Sequence, residues 1–212
     1  MVPGDLEQRI AKLSNPQGLT FTPLTGAPSS GAKMKGFPLI HLLDLMDAEG
    51  PNVAAEWRAS LPEDVQPATE RRSVTSVAWI PFEYYFHGVG WLAQRRGKGI
   101  RGAMEIGHHT ASLDIGAFFR FVLAFASPST VVSLSGRFWK SYFDRSTLHV
   151  VSSTPQSCVV EIRDWPLRDE ASVHEMAGSL VAWMEAGRAK NMRITSFERA
   201  GASLFRLSAE WS

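Results

Sequence analysis

The sequence has a single cysteine, Cys158, and so it cannot form an internal disulfide. One cysteine also cannot build a cysteine-based zinc site on its own. The strand periodicity around Cys158 places it on the inward-facing side, where a thiol without a basic neighbour is usually an inert small hydrophobe. We therefore predict neither a disulfide framework nor thiol chemistry.

Long apolar runs and targeting segments are also missing. No segment approaches the roughly 18 uninterrupted apolar residues that indicate a transmembrane helix. The N-terminus has no positively charged segment followed by an apolar run, which is the pattern of a signal peptide. The sequence therefore predicts a cytoplasmic protein without membrane insertion.

Neither sign of charge is in excess, and the common catalytic motifs are lacking. The 22 basic and 21 acidic residues leave a net charge of +1, so bulk charge gives no reason to expect nucleic acid as a partner.

No Gly-x-Ser-x-Gly elbow is present to position a nucleophile. Residues 97–102 contain glycines and a lysine but lack the full phosphate-loop spacing, so we expect a solvated interhelical loop there, with a small basic patch as the alternative.

The chain divides into a leader and one domain. Residues 14–36 are rich in Pro, Gly, Ser and Thr, which is typical of a linker. Residues 1–34 are therefore predicted to be a flexible leader, in which residues 3–13 have the pattern of a short helix. Residues 35–212 are predicted to form a single domain, because a chain of this length can bury a substantial core.

Apolar residues recur at helical spacing in the first part of the domain. The segment 113–125 is apolar nearly all round, which predicts a buried central helix. Ser127 can cap the next helix, with a proline in its first turn. Other helices are predicted to begin near Pro38, Pro51 and Pro81.

After Arg145 the apolar period changes from the helical value of about 3.6 to the strand value of about 2. Turn residues at 153–156 and 200–201 predict two hairpins, and Asp169 can cap an amphipathic helix between them. The predicted fold class is α+β, with N-terminal helices packed on a four-stranded antiparallel sheet of order β-β-α-β-β. Helices should cover one face of the sheet and leave the other partly wet.

This order of elements, together with several short motifs, resembles a ligand-binding superfamily. Residues 79–85 read Trp-Ile-Pro-Phe-Glu-Tyr-Tyr and are followed by Glu-Ile-Gly at 105–107, while residues 165–187 begin with Trp-Pro and end with Met-Glu-Ala-Gly. They are similar to motifs of haem–nitric-oxide-binding domains, 4-vinyl-reductase-type small-molecule-binding domains and certain Golgi-trafficking subunits. The most similar family consists of proteins of about this length that are largely restricted to myxobacteria. The resemblance covers about residues 35–211 and implies a ligand-binding-type domain with a sensory role.

The sequence departs from these families where their cofactors bind. The gas-sensing relatives place an axial histidine on the helix before the sheet, but residues 128–143 contain none. They also carry a Tyr-x-Ser-x-Arg motif for the haem propionates, which the strand at 159–164 lacks. The 4-vinyl-reductase-type relatives often have cysteines in the last hairpin, and residues 192–211 have none. We therefore predict no haem and no other cofactor.

Aromatic residues suggest where a ligand would bind. The chain has 7 Trp and 12 Phe, and many of them fall on the two consecutive helices before the sheet. If these helices do not close fully on the sheet, the aromatic side chains line an apolar cavity; the alternative is a filled aromatic core. The predicted ligand-pocket residues are Tyr85, Phe118, Phe119, Val122, Phe138 and Tyr142.

Three polar positions are candidates for metal or proton chemistry. Glu105 and His108, at i and i+3, share a helix face and could hold a metal or a proton relay, with His109 next to them. Adjacent helical residues point about 100° apart, so both histidines would rarely bind one ion, and the alternative is a polar helix end near a turn. His87 either lines an aromatic pocket or is a half-buried packing residue.

Three hypotheses about function follow. The first is a non-enzymatic sensory or adaptor domain that binds a small apolar ligand or a protein partner, without haem. The second is a pure interaction module with a filled core. The third is a small metal-dependent enzyme that uses Glu105, His108 and His109. A homodimer is expected because related domains often pair, with Trp57 or Trp91 as exposed interface aromatics.

Overall fold

The computed structural model describes residues 19–115 and 126–212 of the chain. Helices come first, and a four-stranded antiparallel sheet follows with one helix between its hairpins, so the predicted α+β class and element order are confirmed. The predicted helix at 3–13 and most of the predicted central helix at 113–125 lie outside the described residues.

The helices largely follow the apolar spacing of the sequence, and the two predicted caps are present. The Ser127 hydroxyl accepts a hydrogen bond from the Thr130 amide, and the Asp169 carboxylate accepts one from the Ser172 amide. None of the described helices is long and apolar enough to cross a membrane. The helices are α1 (Phe37–Glu49), α2 (Val53–Ala59), α3 (Phe82–Arg95), α4 (Gly99–Asp114), α5 (Pro128–Tyr142) and α6 (Glu170–Ala186), with a 3-10 turn at Gln66–Thr69.

The strands form two antiparallel sheets. The larger one has the order β3-β4-β6-β5, with β5 and β6 forming the second predicted hairpin. The smaller one pairs β1 with β2, and the sequence had not predicted it because three-residue strands are too short to show a period. The strands are β1 (Lys33–Lys35), β2 (Trp79–Pro81), β3 (Thr147–Ser153), β4 (Ser157–Arg163), β5 (Arg193–Arg199) and β6 (Phe205–Glu210).

The two faces of the larger sheet differ as the alternation predicts. On β6, Phe205, Leu207 and Ala209 are buried against the helices. On the other face, the Glu161 carboxylate lies between the guanidinium groups of Arg163 and Arg206, at 2.7 and 2.6 Å. The helix-covered face is therefore the one that can contribute to an internal site.

The predicted loop at 97–102 is wrong in its second half, because α4 begins at Gly99. Gly97 and Gly99 both have positive φ, 63° and 52°, so the chain reverses direction between α3 and α4 within a few residues. As a result His108 and His109 lie in the interior of a helix and not at its end.

Helices α4 and α6 cross at two glycines. A Cβ atom on Gly107 would lie 2.0 Å from the carbonyl oxygen of Glu175, and one on Gly178 would lie 2.1 Å from the carbonyl oxygen of Met104. Only glycine permits this backbone approach. The crossing places the first half of α6 against α4 and buries it on nearly all sides.

Residues at the end of the predicted leader contact the domain. The Thr22 hydroxyl donates to the Asp169 carboxylate at 2.7 Å, and the Ala171 amide donates to the Thr20 carbonyl at 3.0 Å. Further along, the Ser30 amide donates to the Glu83 carboxylate at 2.8 Å. These bonds connect the segment to the starts of α6 and α3.

Candidate functional site

A cavity of about 100 Å³ lies between α5, α6 and the helix-covered face of the larger sheet. Most of the described side chains that line it are apolar or aromatic. Val132 and Trp139 come from α5, Val160 from β4, and Met176 from α6. The described residues therefore do not form a completely filled core at this place.

The structure brings together the described members of the predicted pocket. Tyr85, Phe138 and Tyr142 all line this cavity, although Tyr85 belongs to α3 and the other two belong to α5. Phe118, Phe119 and Val122 lie outside the described residues. The complete set of pocket residues therefore remains a prediction.

One side of the cavity is an aromatic wall that includes a residue the sequence did not indicate. Phe138 stacks on Trp183 with ring centroids 5.5 Å apart, and Trp183 meets Tyr142 edge to face at 5.7 Å. Phe37 packs edge to face on Tyr142 at 4.7 Å. Trp183 was missed because it comes from the helix within the sheet region, whereas the aromatic pattern stood out on the helices before it.

A buried carboxyl group, Glu175 on α6, lies in the cavity lining. Its Oε1 atom accepts hydrogen bonds from the hydroxyls of Tyr85 and Ser179, each at 2.8 Å. The Tyr85 hydroxyl is also 2.8 Å from that of Thr110 on α4. Side chains from three helices thus hold one oxygen of this carboxyl in place.

Two polar atoms of the described lining have no hydrogen-bond partner among the described residues. Both Glu175 Oε2 and the Tyr142 hydroxyl are buried without a hydrogen bond in the part of the chain that the structure describes. Burial raises the pKa of Glu175 to about 7, and it raises the pKa of Tyr142 as well. The mainly apolar wall therefore contains two polar atoms whose hydrogen bonds the described residues do not supply.

A second carboxyl group, Asp114, also lines the cavity but is already paired. Its Oδ1 atom lies 2.6 Å from His41 Nδ1, and its side chain is nearly buried. Burial raises the pKa of Asp114 to about 6, although the His41 contact opposes that shift. Both acidic groups of the described lining thus favour the neutral form more than an exposed carboxyl does.

The structure gives the three candidates for metal chemistry separate environments. The Glu105 carboxylate binds Lys98 and Arg101, at 2.7 and 2.9 Å, and these contacts help to hold its pKa below the usual range although burial opposes them. His108 Nε2 lies 2.9 Å from Glu185 Oε2, while His109 is exposed. Within residues 19–115 and 126–212, no group of three or more His, Cys, Asp or Glu side chains could hold a metal ion.

The remaining single candidates are packing residues in the described structure. His87 is buried, accepts a hydrogen bond from Trp57 Nε1 at 3.1 Å, and has its pKa lowered to about 4 by burial. Trp57 is fully buried, so its predicted role as an exposed interface residue is wrong. Cys158 is buried in the cavity wall, and burial raises the pKa of its thiol to about 11.

The chain has the fold of H-NOX domains. It aligns with an Fe(II) unliganded H-NOX protein from K. algicida (TM-score 0.64, 13% identity, 84% of this chain and 97% of that chain). It also aligns with an H-NOX protein from S. oneidensis in the Fe(II)NO ligation state (TM-score 0.62, 18% identity, 84% and 99%). A mutant H-NOX structure from T. tengcongensis gives a TM-score of 0.54 at 13% identity, with coverage of 84% and 98%. At these identities the likeness shows the fold alone.

No family model and no curated protein matches the chain. The structural alignments confirm the predicted fold. Membership of a myxobacterial family stays a prediction.

The described cavity does not suit haem, the group implied by this fold. Haem iron is held by a histidine nitrogen, a cysteine thiolate, a tyrosinate or a histidine–methionine pair. No histidine is among the described lining residues, and burial raises the pKa of the Cys158 thiol to about 11 and also raises that of the Tyr142 phenol, which disfavours the anionic forms that bind iron. The described wall therefore offers iron no histidine nitrogen, and burial opposes ligation by its thiol and its phenols.

Proposed function

We propose that this chain is a non-enzymatic sensory or adaptor domain that binds a small apolar molecule, without haem, in the cavity between α5, α6 and the sheet. One observation carries the proposal: a cavity of about 100 Å³ whose described wall is mainly apolar and aromatic. An apolar cavity of about 150 Å³ in another protein is known to bind benzene, so a single ring is a reasonable match in size. The shared fold adds support, because the similar structures include an NO-ligated and an oxygen-complexed H-NOX protein.

A cavity-filling variant tests this proposal. Val132 lines the cavity, and Val132→Phe places a ring in the space that the ligand would occupy. Toluene should raise the melting temperature of the wild-type protein by mass action and leave that of Val132→Phe unchanged. Native mass spectrometry of the same two proteins checks for a molecule that co-purifies with the wild type alone.

A matched variant separates filling the cavity from general overpacking. Val89 is fully buried and is not among the cavity-lining residues, so Val89→Phe should destabilise the protein by about 1–3 kcal/mol. Val132→Phe should cost clearly less, because its ring has free space to enter. If toluene fails to stabilise the wild type, or stabilises the wild type and Val132→Phe equally, the proposed function is wrong.

We also propose, as a second candidate role, that the domain forms a homodimer along β3. This strand is at one edge of the larger sheet, and Val150 and Val151 on it are 39% and 53% exposed. An exposed edge strand with apolar side chains is suited to pairing with another chain. Sedimentation of Val151→Lys should show a monomer, while Val77→Lys, which changes a more exposed valine outside the strands, should keep the wild-type state.

A further inference from the structure

We propose that Glu175 and Tyr142 form the polar anchor of this cavity, and that its ligand is a single-ring molecule carrying one O–H or N–H donor group. This inference rests on the proposed function, because it specifies the ligand of the same cavity. It predicts that such a molecule binds more tightly than a purely apolar molecule of the same size, and that an anion does not bind.

The first argument is that two buried polar atoms lack partners. Glu175 Oε2 and the Tyr142 hydroxyl have no hydrogen bond within the described part of the chain, and both residues line the cavity. Native proteins rarely leave such atoms unpaired, because burying a polar group without a partner is costly. A ligand with one polar group would supply the partner that the protein does not.

The second argument is that the anchor is already held in position. The hydroxyls of Tyr85 and Ser179 bind Glu175 Oε1 and leave Oε2 as the atom without a bond. Tyr85 is fixed in turn by Thr110, which belongs to a different helix. A carboxyl group that is oriented before binding loses little conformational freedom when a ligand arrives.

The third argument concerns charge. The described lining contains two acidic residues, Glu175 and Asp114, and no Lys, Arg or His. Asp114 is bound to His41, so Glu175 is the acid with an oxygen available to the ligand. Above pH 7, where Glu175 is ionised, its Oε2 accepts a hydrogen bond from an O–H or N–H group, whereas an anion next to this carboxylate finds no compensating positive charge.

The test compares three probes of similar size. Phenol carries a donor hydroxyl, toluene replaces it with a methyl group, and benzoate replaces it with an anion. Calorimetric titration of the wild-type protein at pH 8, where Glu175 is ionised, should show phenol binding about tenfold more tightly than toluene, as expected for a hydrogen bond to a buried carboxylate, and no binding of benzoate.

Two variants locate the effect at the anchor. Glu175→Gln keeps an oxygen for Tyr85 and Ser179 but replaces the acceptor Oε2 with a donor NH2 group. Tyr142→Phe removes only a hydroxyl that has no partner in the described structure, so it carries the test if Glu175→Gln fails to fold. Each variant should lose most of the preference for phenol and retain the wild-type affinity for toluene. Met176→Leu, a change in the apolar wall, should alter both affinities alike.

The outcomes separate this inference from the proposed function. Equal binding of phenol and toluene by the wild type overturns the polar anchor and leaves the apolar cavity intact. Binding of benzoate that is tighter than that of phenol also overturns it. Binding of none of the probes overturns both proposals.

Discussion

At the scale of single residues, two acids, Glu175 and Asp114, have buried side chains in the mainly apolar wall of the described cavity. Burial raises the pKa of Glu175 to about 7 and that of Asp114 to about 6, so the folded protein holds protons that the unfolded chain releases. Stability should therefore fall as the pH rises through this window. Below about pH 4.5 the contribution of Glu175 is fully present, and it is lost as the pH passes 7.

The first prediction is that Glu175→Gln weakens this pH dependence. A pKa shift of Glu175 from 4.5 to about 7 corresponds to roughly 3 kcal/mol of unfolding free energy, which the wild-type protein loses between pH 4.5 and 8. Glu175→Gln has no titrating group at this position, so it should not show this loss. Urea unfolding at a series of pH values measures the slope. Glu161→Gln is the control: hydrogen bonds from Arg206 and Arg163 lower the pKa of Glu161, so its titration lies below this window. If the unfolding free energy of Glu175→Gln depended on pH as steeply as that of the wild type, Glu175 would not be the group that titrates in this window.

The second prediction concerns the buried pair of Trp57 and His87. Burial lowers the pKa of His87 to about 4, so its neutral ring accepts the indole hydrogen bond at neutral pH. His87→Phe removes the acceptor and leaves the indole N–H unpaired, which should cost about 1–3 kcal/mol of stability. Trp91→Phe, at a partly buried position, should cost less, and chemical denaturation of both variants measures the difference.

The sequence indicated only some of the residues that line the described cavity. Tyr85, Phe138 and Tyr142 were predictable because aromatic side chains concentrate near the expected core. Glu175 was not, because a glutamate on an amphipathic helix is normally a solvent-facing residue. Its burial results from the close approach of α4, and that approach depends on glycines in two separate segments.

At the scale of secondary-structure elements, two glycines determine how closely α4 and α6 approach each other. The third prediction is that Gly178→Ala destabilises the protein by about 2–4 kcal/mol, because a methyl group would meet the Met104 carbonyl oxygen at 2.1 Å. Thermal or urea unfolding measures the loss. Gly201→Ala is the control, since its methyl group meets only ordinary contact at 3.5 Å and should change stability by less than about 0.5 kcal/mol. Equal effects would show that the crossing is not close-packed.

Elements were predictable where a period could develop over several turns or residues. The stripe of α1 and the alternation on β6 both matched the buried residues that the structure shows. The small sheet of β1 and β2 and the early start of α4 were missed. Both depend on local backbone geometry, a three-residue pairing and two glycines with positive φ, which hydrophobic periodicity does not report.

At the scale of the whole molecule, the chain shares a fold with H-NOX proteins but differs in the donors at the described cavity. The fourth prediction is that the purified protein, titrated with haem, gives no saturable one-to-one Soret band, because the described wall lacks a histidine and burial disfavours the anionic forms of its thiol and phenol that bind iron. Visible absorption measures this directly. A stoichiometric band would contradict the prediction. Its loss in Cys158→Ala or Tyr142→Phe would then identify the side chain that binds the iron.

Asp169 links the cavity helix to the segment before the domain. One of its carboxylate oxygens caps α6 through the Ser172 amide, and the other holds the Thr22 hydroxyl. Further along the same helix, Glu175 and Trp183 belong to the cavity wall. A ligand that displaces α6 therefore also pulls on its cap and on residues 20–22. The hydrogen bonds of Asp169 thus connect the helix that lines the cavity to residues 20–22, so a displacement of α6 would change the position of this segment.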